Sequence, residues 1–242
     1  MGPGRSTSDC LYISKSTSDC YKELYILNVI GLKVQSERNQ NGVYEEFKEK
    51  LRKDSTDFYH ARLPWKKKRL KLASYSDGSI SRLHSVLKKL EKKPNNLIKY
   101  NAIIQEQIKD GIIEYAPNKP TGKRIFYMPH RAVVKEDPET TKLRIVFDAL
   151  AKEYGSTSLN DCLHILSAIT TLTTQCYLKN RWQPVRLTRD IKQALLQIRA
   201  NTKDCDVFRF HWVSDVKSKE VVTLRFTRIP FDCASSFFVL GE

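Results

Sequence analysis

Leu187–Arg199 reads LTRDIKQALLQIR and places one carboxylate, Asp190, where an apolar strand runs straight into a short helix. A lone acid at such a corner points to metal or phosphate chemistry. Helix N-capping is the competing task, and the commonest one for an aspartate between a strand and a helix. The flanking stretches add weight to the first reading: KLRIVFDA (Lys142–Ala149) stands upstream and TRIPFDCASSFFVLG (Thr227–Gly241) downstream.

A chain of 242 residues allows one large domain or two small ones. With 40% apolar and 29% charged residues the composition is globular rather than disordered or membranous. No run approaches the ~18 apolar residues of a membrane span. The opening MGPGRSTSDC has no apolar secretory core, so an intracellular location, cytoplasmic or nuclear, is expected. Six cysteines are scattered without a C-x-x-C and five histidines are equally dispersed, which excludes zinc-site spacing and leaves reduced structural thiols. The pentapeptide STSDC occurs at 6–10 and again at 16–20, a pattern read as a local duplication.

The formal charge of +15 points to a polyanionic partner, because clustered Lys and Arg gain from phosphate neutralisation and counterion release. Most of that excess is local. From Arg62 to Lys99 twelve basic residues stand against two acidic ones, Asp77 and Glu91. The candidate nucleic-acid contacts are Lys66, Lys67, Lys68 and Arg69, followed by Lys88, Lys89, Lys92 and Lys93. For the first four, a solvated face or a nuclear-import-like run is an equally good reading.

Residues 1–22 are polar and expected to be frayed, and Glu23–Leu32 is a short helix or buried segment. Residues 44–54 carry helix-favouring charge. Ile80, Leu83, Leu87 and Leu90 fall at three- and four-residue steps, which predicts an amphipathic helix stopped near Pro94. A second helix is predicted from Asn96 to Asp110, with Tyr100, Ile103, Ile104 and Ile108 on one side and Gly111 as its stop. Strands are expected at Ile112–Tyr115, Arg124–Met128, Ala132–Val134 and Leu143–Phe147, with EDPETT turning between the last two and Lys135 and Lys142 at the hairpin mouth. Ser158–Leu172 reads as a helix capped by Ser158 or Asn160. Val207–Val213 and Val221–Thr227 read as a second hairpin, and CASSFFVLG as the start of a helix. His130 and His164 are expected to be structural, and Asp148 a turn or ion-pair residue.

Eight segments then carry a resemblance: LPW (Leu63–Trp65), EQIKDGIIE (Glu106–Glu114), YMPHRAVVK (Tyr127–Lys135), KLRIVFDAL (Lys142–Leu150), TSLNDCL (Thr157–Leu163), LTRDIKQALLQI (Leu187–Ile198), FRFHW (Phe208–Trp212) and TRIPFDCASSFFVLG. In this order they resemble the reverse transcriptase region of BEL/Pao-type retrotransposon polyproteins, over roughly residues 23–242. The resemblance implies an α+β fold, with a mainly helical basic region at 23–111 followed by fingers and an incomplete palm sheet at 112–242. It also implies that Asp190 and the backbone carbonyl of Ile191 hold Mg²⁺. Arg144, with Lys142 or Lys135, would grip a nucleotide triphosphate, and an RNA or RNA–DNA primer-template would be the partner.

Three departures bear on activity. Leu195 stands where the family has a phenylalanine beneath the nucleotide sugar. Asp232 stands where it has a glycine, close to phosphates, and Phe237 and Arg189 are further replacements. The third is the absence after Asp190 of an Asp-Asp pair, Asp204, Asp206 and Asp215 being isolated. One carboxylate does not assemble a two-metal site, so no polymerisation is expected. The expectation is therefore a truncated reverse transcriptase fragment whose unfinished sheet leaves an exposed edge near Asp190. The alternative is a non-enzymatic nucleic-acid-binding protein derived from a retroelement.

Overall fold

Where the apolar spacing is helical the chain forms packed helices, and where it alternates it forms short paired strands. The computed structural model describes residues 42–43, 46–47, 49–55, 58–66, 71–135, 142–164, 194–215, 219–231 and 233, all in the unit Gly42–Glu242. In chain order the elements are β1 (Arg52–Lys53), β2 (Tyr59–Ala61), α1 (Ser76–Glu91), α2 (Pro94–Lys109), β3 (Ile113–Tyr115), β4 (His130–Lys135), β5 (Lys142–Phe147), α3 (Leu159–Cys162), β6 (Ile198–Ala200), β7 (Arg209–Val213) and β8 (Val221–Phe226). The fold is a mixed α+β one. Its strands form three small sheets, ordered β1-β2-β6, β3-β8-β7 and β4-β5.

Helix α1 buries Leu83, Val86, Leu87 and Leu90 along the predicted stripe. Tyr75 precedes it in the left-handed region, and its ring fills the space left by Gly78, where a Cβ would come within 2.5 Å of that ring. Pro94 separates the two helices as expected, but it does so as the first residue of α2, whose opening turn needs no amide there and suits the fixed proline φ. Leu97, Tyr100 and Ile104 are the buried face of α2, and Gly111 at φ 65° ends the turn beyond it.

The core is aromatic. Tyr100 stacks on Trp212 at 4.8 Å, and Phe147 meets Phe210 and Phe226 edge-on at 5.1 and 4.9 Å. Such pairs are worth about 0.5–1.5 kcal/mol beyond the area they bury. Every residue of β7 is buried: it pairs with β8 along one edge, its Arg209 backbone bonds to Phe126 and Met128, and Trp212 packs on Tyr100.

Several sequence expectations change. Arg124–Met128 is not a strand: Tyr127 makes one isolated bridge to Arg209, and its own amide turns the other way to Ser74. The helix at Ser158 is only four residues long, because Leu163 adopts an extended backbone and bridges to Trp65. Ser158 caps it, with Asp161 completing a reciprocal capping box. Within 23–111 the described residues include β1 and β2 as well as helix, and β2 pairs in parallel with β6, 139 positions further on at Tyr59↔Ile198. The two hairpins form as read, with Lys135 opposite Lys142 and Val213 opposite Val221. Glu23–Leu32, the EDPETT turn, the strand into Asp190 with its expected exposed edge, and CASSFFVLG beyond Cys233 lie outside the described residues.

Candidate functional site

The β4–β5 hairpin has two faces of opposite character, because side chains alternate along each strand and register partners share a face. On one face His130 and Phe147 are buried, while Ala132, Leu143 and Ile145 pack against the core. The other face carries Arg131 and Val133 on β4, and Val133 pairs with Arg144 on β5. Arg131, Val133 and Arg144 are exposed. Lys135 and Lys142 occupy directly opposed register positions of that same parity.

Alongside lies α1, whose solvent side exposes Arg82, Lys88 and Lys89, continuing into exposed Lys92 and Lys93. Between helix and hairpin is a cleft of about 420 Å³ lined by Arg82, Lys89, Arg131, Val146, Phe147 and Asp148, among others. Arg82 pairs with Asp148 at 2.7 Å, a half-exposed contact worth at most about 1 kcal/mol. Asp148 also accepts the amide of Leu150, so it serves as the turn and ion-pair residue expected of it. Among the described residues Lys88, Lys89, Lys92, Lys93, Arg131 and Arg144 have no carboxylate partner. The result is a concave face with unneutralised cations on both walls.

Beneath it, His130 is held by Tyr100 and by the carbonyl of His211 at 2.8 Å. Burial pushes its pKa down to about 4, so it is neutral and structural at pH 7. Cys162, Cys205 and Cys233 are buried and in no disulfide, and burial pushes the Cys205 thiol up to about 12.

Other predicted residues fall elsewhere. Lys66 is not on the basic face: its ammonium donates to the carbonyl of Asp161 at 2.8 Å, at the end of α3. Leu195 belongs to a 3-10 turn, Ala194–Gln197, that leads into β6. Asp190, Ile191, Lys67, Lys68 and Arg69 lie outside the described residues, as do Asp232, Phe237 and Arg189. Among the described residues no group of three or more His, Cys, Asp or Glu could hold a metal ion. None of the described helices is long and apolar enough to cross a membrane.

The residue that sequence reading set aside is Asp206. Its carboxylate is fully buried and accepts five hydrogen bonds, with one further ion-pair contact. One oxygen takes Arg209 through Nε at 2.9 Å and Nη2 at 2.7 Å, and Arg225 through Nη1 at 3.0 Å. The other takes Thr121 through its amide at 2.7 Å and hydroxyl at 2.8 Å, and the Gly122 amide at 3.1 Å. Burial alone would raise its pKa, but the donors from Arg209, Thr121 and Gly122 outweigh that and hold it at about 2. Arg225 is anchored from its other side by Glu114 at 2.6 Å. One signal of this centre was present in the sequence: arginines inside the apolar runs RFHWV and VVTLRF require a buried counterion. Asp204, also set aside, holds the Leu63 amide at 3.1 Å and the Trp65 indole N–H at 2.9 Å.

Compared with known proteins, the chain matches no protein-family model and no curated protein sequence.

Proposed function

We propose that this chain is a segment of a retrotransposon reverse transcriptase of the BEL/Pao type, and that these residues bind an RNA–DNA primer-template without extending it. One observation carries the binding half of the proposal. The hairpin places its apolar residues toward the core and Arg131 and Arg144 toward solvent, next to a helix whose outer side carries Arg82, Lys88 and Lys89. A phosphate backbone lying along that concavity would meet cations from two elements, each releasing condensed counterions. Arg144 is also the position that the resemblance assigns to a nucleotide triphosphate.

The absence of extension follows from the carboxylates. Asp190 and the Ile191 carbonyl would be the Mg²⁺ ligands, and Mg²⁺ would supply charge neutralisation at the triphosphate. Within the 242 residues no Asp-Asp pair follows Asp190. Asp206 does not substitute for one, since all six of its contacts are internal. The set present therefore does not fit a two-metal site.

The test is fluorescence anisotropy with a labelled RNA–DNA primer-template at 50 and 200 mM salt, with primer extension read from the same tubes. Binding should weaken steeply with salt, and Arg144→Ala and Arg131→Ala should each flatten the logarithmic salt slope by about 1. Unchanged slopes in both variants would remove the hairpin from the interface. Primer extension that depends on Mg²⁺ would refute the inactive half of the proposal.

A further inference from the structure

A second concavity, of about 500 Å³, shares no lining residue with the cleft beside the hairpin. Its apolar side is built from Phe47 and Leu63, each 4% exposed, with Pro64 and Trp65. Around it stand Arg62, Lys123, Arg124 and Lys203, all exposed. The Arg124 guanidinium sits 4.2 Å from the centre of the Trp65 indole, which makes a flat cationic platform.

The two acids of this cavity differ, since Glu46 is paired with a cation whereas Asp204 is held by neutral donors and keeps its charge. Asp204 turns both oxygens to Leu63 and Trp65, and Glu46 pairs with Lys50. Arg62, Lys123, Arg124 and Lys203 have no carboxylate partner among the described residues. Among the described residues four cations therefore stand around one apolar recess against a single carboxylate without a cationic partner, Asp204.

The walls are fixed from behind. Asp206 grips the amides of Thr121 and Gly122, and the Thr121 hydroxyl, whose one proton faces both acceptors, lies 2.8 Å from Asp206 and 2.7 Å from the Thr202 carbonyl. A Cβ at Gly122 would lie 2.0 Å from the Lys203 carbonyl oxygen, so the loops that present Lys123 and Lys203 are pressed backbone to backbone. On the other wall Asp204 sets the Trp65 ring on which Arg124 rests. Asp204 and Asp206, two residues apart, thus position both sides.

We propose that this cavity binds a nucleoside monophosphate unit, its base against the Arg124–Trp65 platform and the Leu63 side, its phosphate between Lys123 and Lys203. The volume lies in the range of small-molecule sites, and an apolar recess with a few convergent charges is their usual make-up. The excess of cations over carboxylates favours an anion, and the platform favours a planar ring. Two sources share this chemistry, a free nucleotide and the 5′-phosphorylated end of a strand. The site stands independently of the hairpin interface.

Calorimetric titration of the full 242-residue chain with AMP tests it, beside adenosine, inorganic phosphate, and a short oligonucleotide with and without a 5′-phosphate. AMP should bind saturably and at least tenfold more tightly than adenosine or phosphate. Arg124→Ala and Lys203→Ala, both exposed positions, should each weaken AMP by about tenfold or more, while Lys109→Ala, exposed at the end of α2 and outside both cavities, leaves it unchanged. Preference for the 5′-phosphorylated oligonucleotide over its unphosphorylated twin and over AMP identifies a strand end, and preference for AMP identifies the free nucleotide. AMP binding no tighter than inorganic phosphate, or equal in Arg124→Ala, Lys203→Ala and the parent chain with all three folded by thermal melt, would overturn the proposal.

Discussion

Replacing Asp206 by asparagine changes one charge and almost no volume, at a carboxylate that is 0% exposed. Both oxygens of Asp206 face donors only, Arg209 and Arg225 on one side and Thr121 and Gly122 on the other. However the asparagine amide is turned, its NH₂ group points at donors, and two guanidinium groups 7% and 9% exposed lose their shared counterion. Removing one partner of a buried ion pair costs about 3–5 kcal/mol. Linkage gives a lower figure of the same order: holding the carboxyl at about 2 instead of 3.8 contributes about 2 kcal/mol at neutral pH. Against a total stability of about 5–15 kcal/mol, Asp206→Asn should be one of the most damaging isosteric changes in the chain.

The assay is urea unfolding at pH 7, followed by tryptophan emission, to which the buried Trp212 contributes with the chain's two other tryptophans. Asp215→Asn, at an exposed position, serves as control and should stay within about 0.5 kcal/mol of the parent. Because the folded pKa of Asp206 is depressed, its contribution is complete above about pH 4 and is lost as pH falls toward 2. The gap between parent and variant should therefore narrow by about 1 kcal/mol from pH 5 to pH 3. A loss below about 1 kcal/mol at pH 7, or a gap that ignores pH over that interval, would refute the account of Asp206 as the electrostatic centre of the fold.

Two further outcomes are expected. Burial pushes both His130 and His211 down to about 4, so each favours folding fully only above the ordinary 6.5, and that stability is lost as pH falls toward 4. The loss is up to about 3 kcal/mol per ring. Neither imidazole should titrate by NMR between pH 7.5 and 5.5, and a midpoint near 6.5 for either ring would contradict its packing. Gly111→Ala and Gly122→Ala should differ in kind. The first places a side chain at φ 65° in open space and should cost about 1 kcal/mol. The second drives a Cβ into the Lys203 carbonyl and should cost more in the same urea assay. Equal costs would mean that the 121–124 and 201–204 loops separate freely.

The legible parts of this chain are those where local pattern and burial share one period. Leu83, Leu87 and Leu90 marked α1, Tyr100 and Ile104 marked α2, and the alternation of β4 and β5 marked a hairpin with one apolar face. Arg124–Met128 had the same β-favouring composition but failed as a strand. Its hydrogen bonds divide between Ser74 on one side and Asp206 and Arg209 on the other. The helix at Ser158 had its cap written in the sequence, whereas its early end came from the pairing of Leu163 with Trp65. Arg131 and Arg144 were neighbours only once the register was known.

By itself the sequence determined the two amphipathic helices, both hairpins, the basic bias between Arg62 and Lys99, and the order of segments that carries the resemblance. The helices and hairpins each depend on spacing within a single short stretch of chain. Tertiary structure alone decided the parallel pairing of β2 with β6, the two cavities, and the work of Asp204 and Asp206. The physical reason is range. A buried carboxylate is stabilised by whichever donors the fold delivers, and for Asp206 these come from Thr121, Gly122, Arg209 and Arg225. Local propensity at Asp206 carries no record of the two donors at 121 and 122.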